Sequence, residues 1–558
     1  MKNDFDPFSL EIIQNSIDAA CEEMFMGMRQ TAMSTIIYEV LDFGVGITDP
    51  EGNLASQGAG IPIFIGMLEP GVKAIRKKFK RAGKIFPGDI FITNDPWHGG
   101  ASHLNDVSLI MPVFFENTLV AWTANKAHWS DIGGMVPGSV AIEASEVFQE
   151  GLQFPDIKLF ERGEPIESVI DMIRANSRLP DNTLGDMWAG VASLRLGADR
   201  LEQLVKTYGL EVFTEALRRY MDYGETVSRQ ALARLPKGSF RTVGDLENLG
   251  QVKLLLTITD EHFIVDLRGN RGQVNEPANC PFTVTLCGAK VAFKAITDPG
   301  GICNAGVFRP LRLLCDEGSL FAAKRPAPVG LFHEPVMFVT DLVWRSLADV
   351  LPEQLTAGHF GSVCALVIGS THPDTGKPAF LIEPEVGGFG AGMGYDGANA
   401  QFSKIDGETF NTPIELNEAR NAVLVRQYRF NEEDGGEGKY RGGKGVVLEY
   451  EIKGIDGWTT GLFTPNHTTA PWSINGGKSG SSNRVEILRS DGKREILGKF
   501  SNVPLDQGDI IRVVTGAGGG AGDPLQRDRK ALESDIRNGY VTERQAQQYY
   551  GHAVGQQA

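Results

Sequence analysis

Three of the nine histidines, His98, His103 and His128, fall close together in the chain, and carboxylates travel with them. The stretch reads Asn94-Asp95-Pro96-Trp97-His98, then His103-Leu104-Asn105-Asp106, then Ala127-His128-Trp129-Ser130-Asp131. Imidazoles and carboxylates gathered at turns rich in glycine, proline and asparagine are what a divalent metal with nitrogen and oxygen ligands requires. His103 and Asp106 can present an imidazole and a carboxylate from one turn, and His128 follows at the end of what reads as the adjacent strand. A fourth ligand can come from Glu39 or Asp42, in the strand-like segment Tyr38-Glu39-Val40-Leu41-Asp42-Phe43. The competing reading is a hydrogen-bonded polar network in a cleft walled by Trp97, Trp122 and Trp129.

The elements around these residues follow from periodicity. Asp6-Pro7 opens a helix as N-cap and first-turn proline, and Leu10, Ile13, Ile17, Cys21, Met24 and Met28 give it one apolar face. Tyr38 to Thr48 reads as a strand, and Asp49-Pro50-Glu51-Gly52 turns it into a second strand at Asn53-Leu54-Ala55. Leu68 to Phe79 reads as a helix ending in the solvated basic run Arg76 to Arg81. Short strands at Phe91–Thr93, Val107–Ile110 and Leu119–Thr123 leave the histidines at strand ends and in loops. A helical pattern then extends from about Pro165 to Leu235, with one long stretch from Asp186 to Tyr223. Beyond Pro236-Lys237-Gly238 the chain turns strand- and glycine-rich, with strands at Val252–Thr259, Phe263–Leu267 and Val446–Ile452, and Thr542-Glu543-Arg544-Gln545 has the capping-box form. The expected class is α+β, mixed and multi-domain. Residues 1–235 would form a metal-site portion with a helical insert, 236–525 a strand- and glycine-rich portion, and 526–558 a helical tail.

A chain of 558 residues exceeds what one core sustains. Its formal net charge of -16 argues against nucleic acid or an anionic membrane as a main partner. The six cysteines are scattered without a Cys-x-x-Cys pair, so reduced thiols are expected rather than a zinc ribbon or a disulfide scaffold. The N-terminus lacks the order of a signal peptide and no apolar run is long enough for a membrane helix, so a cytoplasmic protein is expected. Four glycine-rich segments invite a nucleotide reading and lack its parts. Gly387 to Gly392 has no clear helix after it, and Gly435 to Gly445 leads into a strand. Gly476-Gly477-Lys478-Ser479 has Trp472 where a P-loop needs glycine, and Gly516 to Asp523 has no lysine. Tight turns and close backbone approach are the expected role of these segments.

The same residues carry a family resemblance. Glu39 to Phe43, Gly88 to Pro96, His103 to Asp106, Ala127 to Asp131, Asn304 to Pro310, Gly435 to Gly443 and the closing glycine run to Pro524 occur in order along nearly the whole chain. In these the sequence resembles the hydantoinase B/oxoprolinase family, the metal-bearing subunits of ATP-dependent amidohydrolases and of acetone and acetophenone carboxylases. The closing run departs slightly, with Thr515-Gly516-Ala517 where a proline-glycine start is common. The resemblance implies a divalent metal (zinc, manganese or iron) on His103, Asp106, His128 and an acid from Glu39 or Asp42. It implies a hydantoinase A-like partner in a hetero-oligomer, which binds ATP and magnesium and phosphorylates a small-molecule substrate. The present subunit would then direct water onto the activated hydantoin, 5-oxoproline or other lactam, with Asp95, Asp131 or His98 as general base. The alternatives are a ketone carboxylase subunit and a non-catalytic scaffold for the partner.

Overall fold

The computed structural model of the chain describes residues 6–81, 83–407, 409–464 and 470–551. These divide into two compact units, one of Met1–Ser239, Leu255–Val336 and Ile405–Phe410, the other of Phe240–Leu254, Met337–Lys404 and Asn411–Ala558. Helices and several sheets share the chain, as the α+β reading expects.

The first unit is organised by a seven-stranded sheet. Its strands are β1 (Phe43–Thr48), β2 (Leu54–Gly60), β3 (Ile90–Thr93), β4 (Asp106–Phe115), β5 (Thr118–His128), β6 (Ile157–Glu161) and β7 (Glu164–Pro165). Their order is β2-β1-β5-β4-β3-β6-β7, so the β4–β5 hairpin is central and β2 lies at an edge. The helices are α1 (Pro7–Thr31), α2 (Thr35–Tyr38), α3 (Pro62–Lys80), α4 (Glu167–Asn176), α5 (Pro180–Tyr208) and α6 (Leu210–Arg234). As expected, Asp6 caps α1 by accepting from the backbone of Phe8 and Ser9. The long helical stretch is two helices, because Gly209 at φ +83° breaks it.

Strand alternation assigns the two faces of the sheet. Trp122 and Ala124 of β5, with Ile110 of β4 and Phe91 of β3, pack on Leu68, Val72 and Ile75 of α3. The intervening residues meet α5: Thr123 Oγ1 donates to the Leu194 carbonyl at 3.1 Å and Asn125 Nδ2 to the Gly190 carbonyl at 2.8 Å. α1 closes over α5 so tightly that a Cβ on Gly197 would lie 2.3 Å from Met24 Sδ. The strand expected from Tyr38 begins only at Phe43. Before it lie the single turn of α2 and a reversal at Leu41, whose φ is +66°.

Elsewhere in this unit, the Leu255–Ile258 end of β9 pairs antiparallel with β10 (Phe263–Asp266), and β11 (Leu311–Leu314) adds in parallel. The strands β8 (Gly238–Leu246) and β9 (Gly250–Ile258) precede it in the chain, and helix α7 (Phe282–Thr297) follows β10. Glu150 is buried, and its Oε1 accepts from the backbone of Val329 at 2.8 Å and Gly330 at 2.7 Å. Burial pushes its carboxyl up to about 8, against those two donors. The folded state therefore binds a proton that the unfolded chain has released between about pH 4.5 and 8, and stability falls as pH rises through that window. Glu150→Gln keeps an acceptor for both amides and removes the titration. Its melting temperature should match wild type near pH 4.5 and exceed it at pH 8.5; equal values at both pH values would refute this account.

The second unit is strand-rich. One sheet orders as β13-β12-β16-β19 from β12 (Ala365–Thr371), β13 (Pro378–Glu383), β16 (Ile455–Leu462) and β19 (Lys499–Leu505). Another orders as β14-β15-β20-β17-β18 from β14 (Val423–Phe430), β15 (Val446–Ile452), β17 (Arg484–Leu488), β18 (Arg494–Leu497) and β20 (Ile510–Val514). Their apolar faces share a core that includes Leu366, Ile368, Tyr450, Val485 and Ile511. The four glycine-rich segments thread against one another here. A Cβ on Gly388 would meet the Gly443 carbonyl at 2.0 Å, one on Gly442 the Gly518 carbonyl at 2.1 Å, and one on Gly477 the Gly520 carbonyl at 2.3 Å. Close backbone approach is what the glycines serve. The C-terminal helix Glu543–Tyr550 carries the expected capping box at Thr542 and Gln545, and Gly551 ends it in the left-handed region. Among the described residues no helix is long and apolar enough to cross a membrane, and the six cysteines are free thiols.

Candidate metal centre

The register of three strands builds the site. Asp106, the first residue of β4, lies opposite His128, the last of β5. On the other side of β5, Phe43 pairs with Ala127, and the His128 amide donates to the Asp42 carbonyl at 3.0 Å. Asp42, His128 and Asp106 thus stand side by side at one end of the sheet. Along the face covered by α3, apolar Trp122 and Ile110 give way to Lys126 and Ser108, then to His128 and Asp106. The centre is the polar end of a face whose other end is core.

His103 reaches this point from the loop before β4. That loop is fixed by asparagines: Asn94 Nδ2 donates to the carbonyls of Leu104 and Leu152, and Asn105 Nδ2 to those of Trp129 and Gly138. His103 Nε2 lies 3.1 Å from Asp106 Oδ1 and 3.3 Å from His128 Nδ1, and the latter two atoms are 3.3 Å apart. The three side chains are buried, with Asp106 wholly so. They are therefore not the surface-loop groups that a loop-based reading suggests. Ser102 Oγ donates to Asp106 Oδ2, which leaves Oδ1 directed at the two imidazoles.

These separations fit a bound cation. Ligands at ~2.0–2.2 Å from an ion occupy neighbouring positions ~2.8–3.1 Å apart in an octahedron and ~3.3–3.6 Å apart in a tetrahedron. Hydrogen bonding alone serves the triangle poorly: if both imidazoles donate to Asp106 Oδ1, their two nitrogens meet with no acceptor between them. A divalent ion accepts all three lone pairs at once, and the His, His, Asp set suits zinc, manganese or iron. Burial opposes ionisation of Asp106, but the attraction and hydrogen bonds of His103 and His128 outweigh it and hold the carboxyl well below its usual range. A ligand kept anionic is what the ion needs.

The two acids open for the fourth place differ in position. Asp42 Oδ2 lies 3.9 Å from His128 Nδ1. Burial pushes its carboxyl up to about 7, against the pull of His128 and with repulsion from Asp106 and Asp406. Glu39 ends α2, three residues earlier and across the Leu41 reversal; neither acid belongs to the converging group of His103, Asp106 and His128.

Asp95, His98 and Asp131 have other surroundings. The His98 ring is 64% exposed, and its Nδ1 stands 3.4 Å from Asp95 Oδ2 and 3.6 Å from Asp156 Oδ2. Asp95, Trp97 and His98 line a cleft of about 590 Å³ together with Lys324 and Arg325. Asp131 is buried and fully engaged. Its Oδ1 accepts from the backbone of Gly133 and Arg178, and its Oδ2 from the Gly138 backbone and Arg178 Nη1. A carboxylate with four donors has no lone pair left for a proton, so its place is that of a loop anchor rather than the general base suggested from sequence. Nor are Trp122 and Trp129 cleft walls: both are core, Trp122 beneath α3 and Trp129 edge-on to Phe154 at 6.2 Å.

Sequence reasoning missed three neighbours of the site. Lys126 is buried on the face of β5 that carries His128; its Nζ donates to the Gly100 carbonyl, and burial lowers it to about 8. The two-residue spacing from His128 was the available signal. Phe332, whose ring centre is 5.1 Å from that of His103, and Asp406, which repels Asp42, lie far away in sequence and carried none.

The chain is similar to known proteins over nearly its whole length. The profile of the family described as Hydantoinase B/oxoprolinase matches residues 6–524. A putative D-/L-hydantoinase subunit from Pseudomonas sp. (strain NS671) is 29% identical over 571 aligned residues, covering 98% of this chain and 95% of that protein. The crystal structure of the ATP-dependent caprolactamase from Pseudomonas jessenii superposes with a TM-score of 0.91 at 26% identity, covering 100% of this chain and 98% of that one. A nucleotide-free acetone carboxylase structure shares the fold, with a TM-score of 0.90 at 19% identity over 99% of this chain and 80% of that one.

Proposed function

The chain belongs to the hydantoinase B/oxoprolinase family, and from that premise we propose that it is the metal-bearing subunit of an ATP-dependent cyclic amide hydrolase. A hydantoinase A-like partner would bind ATP and magnesium and phosphorylate the amide oxygen. The observation that carries the reading is the convergence of His103 Nε2, Asp106 Oδ1 and His128 Nδ1. Relatives described as a hydantoinase subunit and an ATP-dependent caprolactamase support the substrate class and the need for a partner.

An amide resists water through resonance and because an amine anion leaves badly. O-phosphorylation makes the carbon electrophilic, so water adds to it, the protonated ring nitrogen departs as an amine, and a second water cleaves the resulting acyl phosphate to the carboxylate and phosphate. We assign His103, Asp106 and His128 to holding a divalent metal, with Asp42 as the fourth ligand in preference to Glu39. A metal held there would supply Lewis acidity, acidifying water and polarising oxygen. Asp106 stays ionised beside the imidazoles while Ser102 fixes its second oxygen. Phe332 and buried Leu104 limit the access of bulk water. We assign Asp95 and His98, which line the cleft and precede the ligand-bearing loop in the chain, to proton transfer.

The test is reconstitution with the hydantoinase A-like subunit and a substrate panel. ATP hydrolysis stimulated by hydantoins, 5-oxoproline or larger lactams, with the ring-opened acid as product, is expected. Turnover of acetone or acetophenone that requires bicarbonate, with no lactam opened, would replace this reading by a ketone carboxylase.

A further inference from the structure

Helix α7 of the first unit has two unlike faces. Ala289, Ala292, Phe293 and Ile296 are buried in the core. The opposite stripe, Lys290, Val291, Lys294 and Ala295, lines a cavity of about 470 Å³. Gln57 and Ala59, alternate residues on edge strand β2, face it, and Cys303 and Phe308 complete much of the wall. None of the metal-centre side chains lines this cavity, yet its rim is close to them in the chain. Gly407 follows Asp406, and Gly60 pairs with Gly44, two residues from Asp42.

The charges are unbalanced. Lys294 is committed to Asp298, whose backbone carbonyl and Oδ2 both accept from its Nζ. The Lys290 side chain is only 12% exposed, and its nearest carboxylate is Glu69 Oε2 at 3.9 Å. Glu69 Oε1 already holds Lys73 Nζ at 2.5 Å. Two ammonium groups therefore share one carboxylate, and Lys290 is the more distant of the two; its Nζ lies 5.1 Å from the centre of the Phe308 ring. An ammonium that shares a distant carboxylate with a second lysine keeps donors for a further anion. Across the cavity, Gln57 Oε1 is buried and receives no donor.

We infer that this cavity binds a small molecule with an anionic group, an apolar body and an N–H. Lys290 takes the anion, the Gln57 side-chain carbonyl accepts the N–H, and Val291, Ala295 and Phe308 cover the body. The anion can be the carboxylate of a ring-opened ω-amino acid or the phosphate of an activated amide; that identification rests on the proposed function, whereas the anion site does not.

The test is titration calorimetry on the full-length chain with 6-aminohexanoate, hexanoate and inorganic phosphate. Saturable binding of at least one probe is expected, weakened at least ~10-fold by Lys290→Met and retained by Lys290→Arg, since a charge-assisted hydrogen bond is lost only in the first. Gln57→Leu should weaken 6-aminohexanoate and leave hexanoate unchanged. Displacement by phosphate assigns the site to a phosphorylated ligand, and failure of displacement assigns it to a carboxylate. No binding tighter than ~10 mM by any probe, or equal affinity of wild type and Lys290→Met, would overturn the inference. Metal content should be the same in all these variants. A metal-free wild type that still binds the probes would contradict the proposed function and leave this site standing.

Discussion

Replacing His103 or His128 by glutamine, or Asp106 by asparagine, lowers substrate turnover of the reconstituted complex by more than ~100-fold. Loss of an outer partner of a metal ligand costs ~10–100-fold, and these residues are placed as the ligands themselves. Polar near-isosteres are the right variants because the three side chains are buried at strand ends. Truncation of a buried side chain there would cost roughly 1–3 kcal/mol of stability and confound the result. ATP binding by the partner should survive each change. A variant that keeps wild-type turnover at ambient metal while folded, judged by near-ultraviolet circular dichroism, removes that residue from the centre. Glu39→Gln serves as the contrast and should fall much less than Asp42→Asn.

The second large effect is dependence on a partner: purified alone, the chain should hydrolyse no ATP with hydantoins, lactams or ketones, and adding the ATP-binding subunit should restore turnover. The physical reason lies in the glycine-rich segments. A phosphate cradle needs backbone amides that point at an empty concavity. Here those amides are spent within a turn, where Gly477 donates to Ile474, and on neighbouring segments, where Lys478 donates to Glu437, Gly388 to Gly516, Gly518 to Gly443 and Gly519 to Gly358. Interlaced backbone cannot open for a triphosphate without breaking those bonds together. ATP-dependent turnover by the isolated polypeptide at the rate of the complex would show that one of these segments does open.

How much of this could be read from residues alone depended on how local the determinant was. His103 and Asp106 share one turn, and an apolar alternation on either side marked β4 and β5, so the pairing of Asp106 with His128 was within reach of pattern reasoning. The choice between Asp42 and Glu39 was not, because it turns on the short helix α2 and the positive φ of Leu41, neither of which periodicity reveals. Asp131 looked like a free acid because its four donors include Arg178, brought in from the start of the helical insert. Trp122 looked like a cleft wall beside a histidine, yet its parity on β5 turns it under α3, and only the sheet order fixes what covers each face. Spacing made tight turns and close approach the expected role of the glycine segments, but their mutual threading is a long-range property of the second unit.

The central claim is that His103, Asp106 and His128 hold a metal ion, and elemental analysis of the purified chain tests it most directly. After exposure to zinc, manganese or iron and removal of the excess, wild type should retain about one equivalent of one of these metals per chain, as a single closed set of side-chain donors dictates. Asp106→Asn and the double variant His103→Gln/His128→Gln should retain almost none. Wild type without bound metal, or variants that keep the wild-type amount, would contradict the account.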